Sequence, residues 1–188
     1  MRLPGSQIAL MLIVSFATFV PADGLEARGD RFRKLYDRAL ELIEAGGYTR
    51  SIPLLRKMAE LQPYNERALY MLSLALLYQE KPVDPKRYRA DLKEAIDNLR
   101  ETIVIWRRVA PRGEELGLRY FYLGLALWYY GEPVQALEAF RACYRADFER
   151  LDAVYNQYAL LEELGKYREA QEVWIQYKQL QDTNTIDD

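Results

Sequence analysis

The 188-residue chain has no histidine and only one cysteine, Cys143. Lacking histidine, it has neither the usual general base near neutral pH nor the commonest metal ligand; a lone cysteine rules out an internal disulfide or a thiolate-rich zinc site. Charge of one sign is also missing, because 26 basic side chains stand against 28 acidic ones for a formal charge of −2. Nucleic-acid binding rests on phosphate neutralisation by clustered Lys and Arg, so nucleic acid is not an expected partner. A Gly-rich phosphate loop, a nucleophile elbow and a Cys-x-x-Cys pair are likewise absent from the sequence. Glu162 and Glu163 are adjacent, which on a helix turns them about 100° apart, and they read as a solvated face rather than a cation site. The expectation is a protein that is not an enzyme, with no catalytic residue, metal or cofactor.

Half of the residues are hydrophobic, and a single domain of this size buries roughly 70% of its unfolded surface without a staple. One long apolar run occurs, over residues 8–20, broken only by Ser15 and Thr18. It is shorter than the about 20 residues that span a bilayer. Met1 and Arg2 precede it, and Val20-Pro21-Ala22 places short residues three and one positions before a cut after Ala22. These features predict a cleaved signal peptide over residues 1–22. No cysteine follows the run, so an acylated lipoprotein is not expected. The product would be exported, periplasmic or secreted, with no stable membrane anchor once cleaved. An uncleaved anchor or a buried helix remains the alternative, because only one basic residue precedes the run.

The rest of the chain recurs at a spacing of thirty-four. Gly131 pairs with Gly165, Ala136 with Ala170, Phe140 with Trp174, Cys143 with Tyr177, and Leu127 with Leu161. The segment Tyr120-x-x-Leu123-Gly124-x-x-Leu127, followed by Ala136-x-x-x-Phe140, resembles the tetratricopeptide repeat (TPR). Leu35, Ala39, Leu42, Gly46, Tyr48, Ser51, Leu55, Met58 and Pro63 hold the same offsets in a first repeat, and Leu69, Leu72, Ser73 and Leu76 are in phase in a second. Independently of the resemblance, each unit reads as two amphipathic helices with apolar residues three and four apart, and glycines after Ala45, Tyr130 and Leu164 to end the first helix. A pair alone cannot cover its apolar faces, so neighbours must stack. The expected fold is all-α, a right-handed α-solenoid of about four repeats at 32–65, 66–110, 117–150 and 151–184, after a short linker at 23–31 and before a polar tail at 185–188.

The second repeat carries about ten residues more than the family spacing. Pro82 and Pro85 predict an ordered loop near 81–91, and Asp91 with Glu94 reads as a capping box opening a long helix. Its stripe Leu92, Ala95, Ile96, Leu99, Ile103, Trp106 and Val109 overhangs the repeat, either as structural filling or as a contact site.

The resemblance implies a concave groove lined by the first helix of each pair. Its offsets fall on Tyr70, Met71, Leu74, Leu77 and Tyr78, and on Phe121, Tyr122, Leu125, Trp128 and Tyr129, with Arg33, Tyr36, Arg67, Tyr155 and Asn156 at the rim. So apolar and aromatic a wall suits a partner peptide or helix, or else a small hydrophobic ligand or lipid. The carboxylate clamp of some family members needs Lys and Asn at the fifth, sixth and ninth positions; only Asn156 matches, so it is not expected. Self-association is a further possibility, because Trp174 and Tyr177 sit on the last helix with no capping helix evident. The expected function is a non-catalytic interaction scaffold of the cell envelope. Intact-mass analysis of the exported product should find a chain starting at Asp23; a product retaining residues 1–22 would overturn the signal-peptide reading.

Overall fold

The structure, a computed structural model, describes residues 22–184, and side chains for 27–183. The expected signal peptide, except for Ala22, and the polar tail lie outside the described residues. Eight helices follow one another in this span: α1 (Ala22–Glu44), α2 (Tyr48–Leu61), α3 (Glu66–Tyr78), α4 (Pro85–Val109), α5 (Glu114–Tyr130), α6 (Pro133–Ala146), α7 (Leu151–Glu163) and α8 (Tyr167–Asn184). Each packs on the next in sequence, and α3 also touches α5. Four helical pairs therefore stack side by side, as an α-solenoid.

Three of the turns inside pairs have one design. Gly46, Gly131 and Gly165 adopt positive φ of 74°, 94° and 70°, a region that costs other residues a clash at Cβ. The next amide then reaches back to the helix: Gly47 N–H to Leu42 C=O at 2.7 Å, Glu132 to Leu127 at 2.9 Å, Lys166 to Leu161 at 2.9 Å. This is the Schellman closure. The turn after α3 has no glycine, and there the Gln79 side-chain amide donates to Leu76 C=O instead.

Packing follows a small-against-large rule. Ala39, Ser73 and Gly124, at the eighth position of three successive pairs, are buried. Leu55, Leu99 and Phe140, from the second helices, are fully buried, as are Met58, Thr102 and Cys143 one turn further on. Buried hydroxyls are satisfied by their own helices: Ser51 donates to Tyr48 C=O at 2.7 Å, Ser73 to Leu69 at 2.8 Å and Thr102 to Leu99 at 2.9 Å. The last pair breaks the rule. Tyr158 occupies the small position, its ring 4.9 Å from that of Trp174, and Trp174 stays half-exposed where Phe140 is buried.

Three expectations need correction. The stretch 23–31 is not a linker but the first turns of α1; it contains no proline, and the Arg28 guanidinium donates to Leu61 C=O at the end of α2. The surplus of the second repeat is mostly helix, not loop. Asp84 caps α4 by accepting from Lys86 N–H at 2.9 Å, with Pro85 at the first helical position, where its missing N–H costs nothing. Asp91 is accordingly no cap. It lies one turn and more inside α4, its side chain 7% exposed, and pairs with Arg56 of α2 at 2.8 Å while accepting from Gln79 at 3.2 Å. Arg56 also holds Glu94, so the two carboxylates fasten one pair to the next.

The small-against-large rule is testable at Gly124. A Cβ there would lie 2.7 Å from the Phe140 ring, and that ring has nowhere to go. Gly124→Ala should lower stability by about 1–3 kcal/mol, whereas Gly29→Ala, where a Cβ meets nothing within 4 Å, should raise it by about 0.5–1 kcal/mol. Thermal unfolding followed by circular dichroism measures both; equal effects would refute the packing argument.

Candidate functional site

The inner face of the solenoid is built by the first helices of the pairs. A cleft of about 500 Å³ opens there between α1, α3 and α5. Tyr36, Leu40 and Ile43 form its α1 side; Tyr70, Met71 and Leu74 form its α3 side. Trp106 from the C-terminal end of α4 closes one end. A second concavity of about 440 Å³ shares Tyr36 and Arg67 with the first and adds Gly29, Phe32, Arg33 and Asn65. The two lie side by side along α1 and α3, as a trough with Tyr36 and Arg67 common to both.

Arg119 of α5 organises the cleft. Its side chain is 4% exposed, and a buried cation needs partners on every side. The guanidinium holds Glu66 through two nitrogens at 2.6 and 2.7 Å, and donates to the Glu115 carbonyl at 2.6 Å and to the Glu115 carboxylate. The Tyr70 ring lies 4.3 Å from it and the Trp106 ring 4.6 Å. The cation is thus in contact with two aromatic rings and is held by two carboxylates, an arrangement that fixes both rings as walls. The Trp106 indole N–H is buried and has no hydrogen-bond partner among the described residues.

The expected groove residues divide. Tyr70, Met71 and Leu74 line the cleft, as do Tyr36 and Arg67 of the expected rim, while Arg33 lies at the adjoining mouth. Arg67 lies over the Tyr36 ring at 5.5 Å. Leu77 is not a groove residue: it is 7% exposed, inside the core with Leu92 and Ile96 of α4. The α5 aromatics turn to one another. Tyr122 meets Tyr70, Tyr78 and Phe121 with ring centroids 6.0, 6.2 and 5.6 Å apart, and Phe121 and Trp128 both contact the buried Phe140 ring. Leu125 is half-buried, and Tyr78 and Tyr129 remain about half exposed. Trp128 donates to Glu163 of α7 at 2.7 Å. These side chains make a self-packed wall beside the cleft rather than its lining. Tyr155 and Asn156 belong to α7, where Tyr155 and Tyr158 form a separate aromatic group with Trp174 and Tyr177 of α8.

Sequence reasoning missed Arg119 and the role of Trp106. Arg119 falls at the third position of its expected repeat (117–150), outside the groove offsets, and nothing in its neighbours in sequence marks it as buried. Trp106 was legible as an overhang, but its meeting with Arg119 depends on how α4 crosses α5.

No family model matches this chain, and no curated protein matches it. Solved structures do. It is similar to MamA in a crystal structure, at 20% identity, with 87% of this chain and 85% of that one covered and a TM-score of 0.67. MamA from Desulfovibrio magneticus RS-1 gives 20% identity over 81% of this chain and 76% of that one, with a TM-score of 0.66. A thermophilic TPR protein of Thermus thermophilus gives 16% identity, coverages of 84% and 85%, and a TM-score of 0.56. The fold is that of a TPR solenoid. At such identities the likeness carries the TPR architecture and leaves the site to be argued from its own residues.

Burial sets the protonation of the TPR wall. It raises the Tyr70 phenol far above its usual range, with Tyr122 adding and Arg119 opposing, and pushes Tyr78 up to about 12, Tyr122 again adding. Burial also pushes the Cys143 thiol up to about 12. The unfolded groups ionise near 9 for the thiol and 10 for the phenols, so the folded chain keeps protons that the unfolded chain would release. The stability they contribute is whole below pH 9 and is lost as pH rises through about 12. The part of the tyrosinate absorbance that is lost in Tyr70→Phe should therefore appear together with the change in circular dichroism; its appearance at lower pH, in a chain that is still folded, would contradict it. Cys143 should resist a thiol reagent at neutral pH until denaturant is added.

Proposed function

We propose that this chain is a non-catalytic protein–protein interaction scaffold that takes a partner peptide or helix into the cleft between α1, α3 and α5. One observation carries the reading: an accessible cleft of about 500 Å³ whose aromatic and aliphatic walls are held rigid by the buried Arg119. Rigid aromatic walls favour binding because little side-chain freedom is lost when a partner arrives. TPR architecture supports an interaction role in general. The basic start and apolar run of residues 1–20 support placing that role in the cell envelope, periplasmic or secreted.

A second reading is favoured by size alone. The same volume lies within the about 300–1,000 Å³ of small-molecule pockets, so a small hydrophobic ligand or lipid is the alternative occupant. Native mass spectrometry separates the two: a co-purifying small mass favours the ligand. Self-association through the C-terminal pair is supported by the partly exposed Trp174 and Tyr177 and by Ile175 at 51% exposure; a concentration-independent monomer in light scattering would remove it.

The peptide reading is tested by crosslinking in the native envelope and recovery of the partner. Leu74→Asp places an unpaired charge in the cleft and should weaken the partner by about 2 kcal/mol, as loss of an interface anchor does. Tyr129→Ala, outside the cleft lining, should leave it unchanged. Full recovery with Leu74→Asp, in a chain that keeps its helicity, would sink the assignment.

A further inference from the structure

A third concavity, of about 430 Å³, opens on the opposite side of α5, between α4 and α6. Three arginines line it: Arg107 at the end of α4, Arg112 in the turn 110–113, and Arg145 in the last turn of α6. No carboxylate is among its lining residues. Among the described residues, none of these guanidinium groups forms an ion pair or hydrogen bond, and neither does the adjacent Arg108, although Arg56, Arg119 and Arg150 are all paired with carboxylates. The nearby backbone amides are already used within the fold. Ala110 N–H already closes α4 on Trp106 C=O at 2.8 Å, Asp147 N–H closes α6 on Cys143 C=O at 2.9 Å, and Gly113 N–H donates to Ala146 C=O at 2.8 Å.

That last bond ties the turn after α4 to the end of α6 and so places Arg112 beside Arg145. Like charges gathered in one concavity repel one another, and an oxyanion relieves them; guanidinium forks match phosphate oxygens in pairs. Apolar side chains flank the arginines along the chain. Val109, after Arg107 and Arg108, is 72% exposed, and Phe148, three residues after Arg145, is 60% exposed. A soluble phosphate has no use for them. At a bilayer, apolar side chains enter the acyl boundary while neighbouring cations hold the headgroup phosphates.

From the unpaired charge of this concavity and its apolar flanks we propose that it docks on anionic lipid headgroups, with Arg107, Arg112 and Arg145 as the phosphate site; the carboxylates of the neighbouring turn, Asp147 and Glu149, are not among its lining residues. It is a peripheral contact, separate from the α1–α3 trough.

Co-sedimentation of the full chain with phosphatidylcholine vesicles, with and without phosphatidylglycerol, tests it. The readout is the gain in binding due to the anionic lipid, because any insertion of the apolar run 8–20 would contribute to both samples. Arg112→Ala and Arg145→Ala should each cut that gain about five-fold, as expected for removal of one basic side chain at such a surface, and the double variant about 25-fold. Phe148→Ser should lower binding with the charge unchanged, and all variants should keep the wild-type circular dichroism spectrum. Equal binding to neutral and anionic vesicles would overturn the proposal, as would a double variant that is folded and undiminished. So would an arginine-dependent complex with pyrophosphate or a poly-glutamate peptide that comes without any gain on anionic vesicles.

Discussion

Two antiparallel helices cannot bury the apolar faces they present to either side, and every feature of this chain depends on that shortfall being met by the next pair. The complementarity is one of size. A small residue at the eighth position of the repeat, on its first helix, lets a second helix come close, and a large residue on that helix fills the space. Phe140 against Gly124 is the tightest instance, with the ring where a Cβ would otherwise stand. A mismatch at one interface is felt locally, because each pair contacts only its neighbours. The last pair illustrates this: with Tyr158 in the small position, Trp174 remains half-exposed, and the pairs before it are unaffected.

The long helix α4 joins the two halves of the molecule. Ala95 belongs to the core shared by α1, α2 and α3, whereas Leu92, Ile96, Leu99 and Ile103 belong to the core shared with α5 and α6. Its extra residues do separate work at each end. At the beginning, Asp91 and Glu94 receive Arg56 from α2, which fastens the first pair to the second. At the other end, Trp106 reaches the Arg119 guanidinium. The cost of burying that cation is met by Glu66, by Glu115 and by the two aromatic faces together. Removing any one of them would leave the others exposed to a charge they were arranged around.

The proposed function puts the partner where rigidity is supplied. The α5 aromatics were expected to line a groove, and much of their surface is spent on one another and on Phe140 instead. The open trough lies further toward α1, where Tyr36, Leu40, Tyr70 and Leu74 face a cleft with Arg119 at its end. On the other side of α5, the unpaired arginines mark a surface of different chemistry. The two proposals thus concern two unlike faces of one solenoid.

Much of the fold was legible in the residues themselves. A thirty-four-residue period, glycines that only a left-handed turn requires, and apolar residues three and four apart dictate paired helices and their number, because these signals are local and each pair repeats them. The start of α4 was also local in principle: Asp84-Pro85 is an N-cap followed by proline, although Asp91 and Glu94 imitate the same signal. What no local pattern could decide was which side chains end up facing one another across the stack. Arg119 meets Glu66 fifty-three positions away, and Tyr122 turns to Tyr70 and Tyr78 rather than to solvent. Those meetings depend on how closely adjacent pairs approach and at what angle they cross, and that is set by the summed packing of several helices rather than by any one segment.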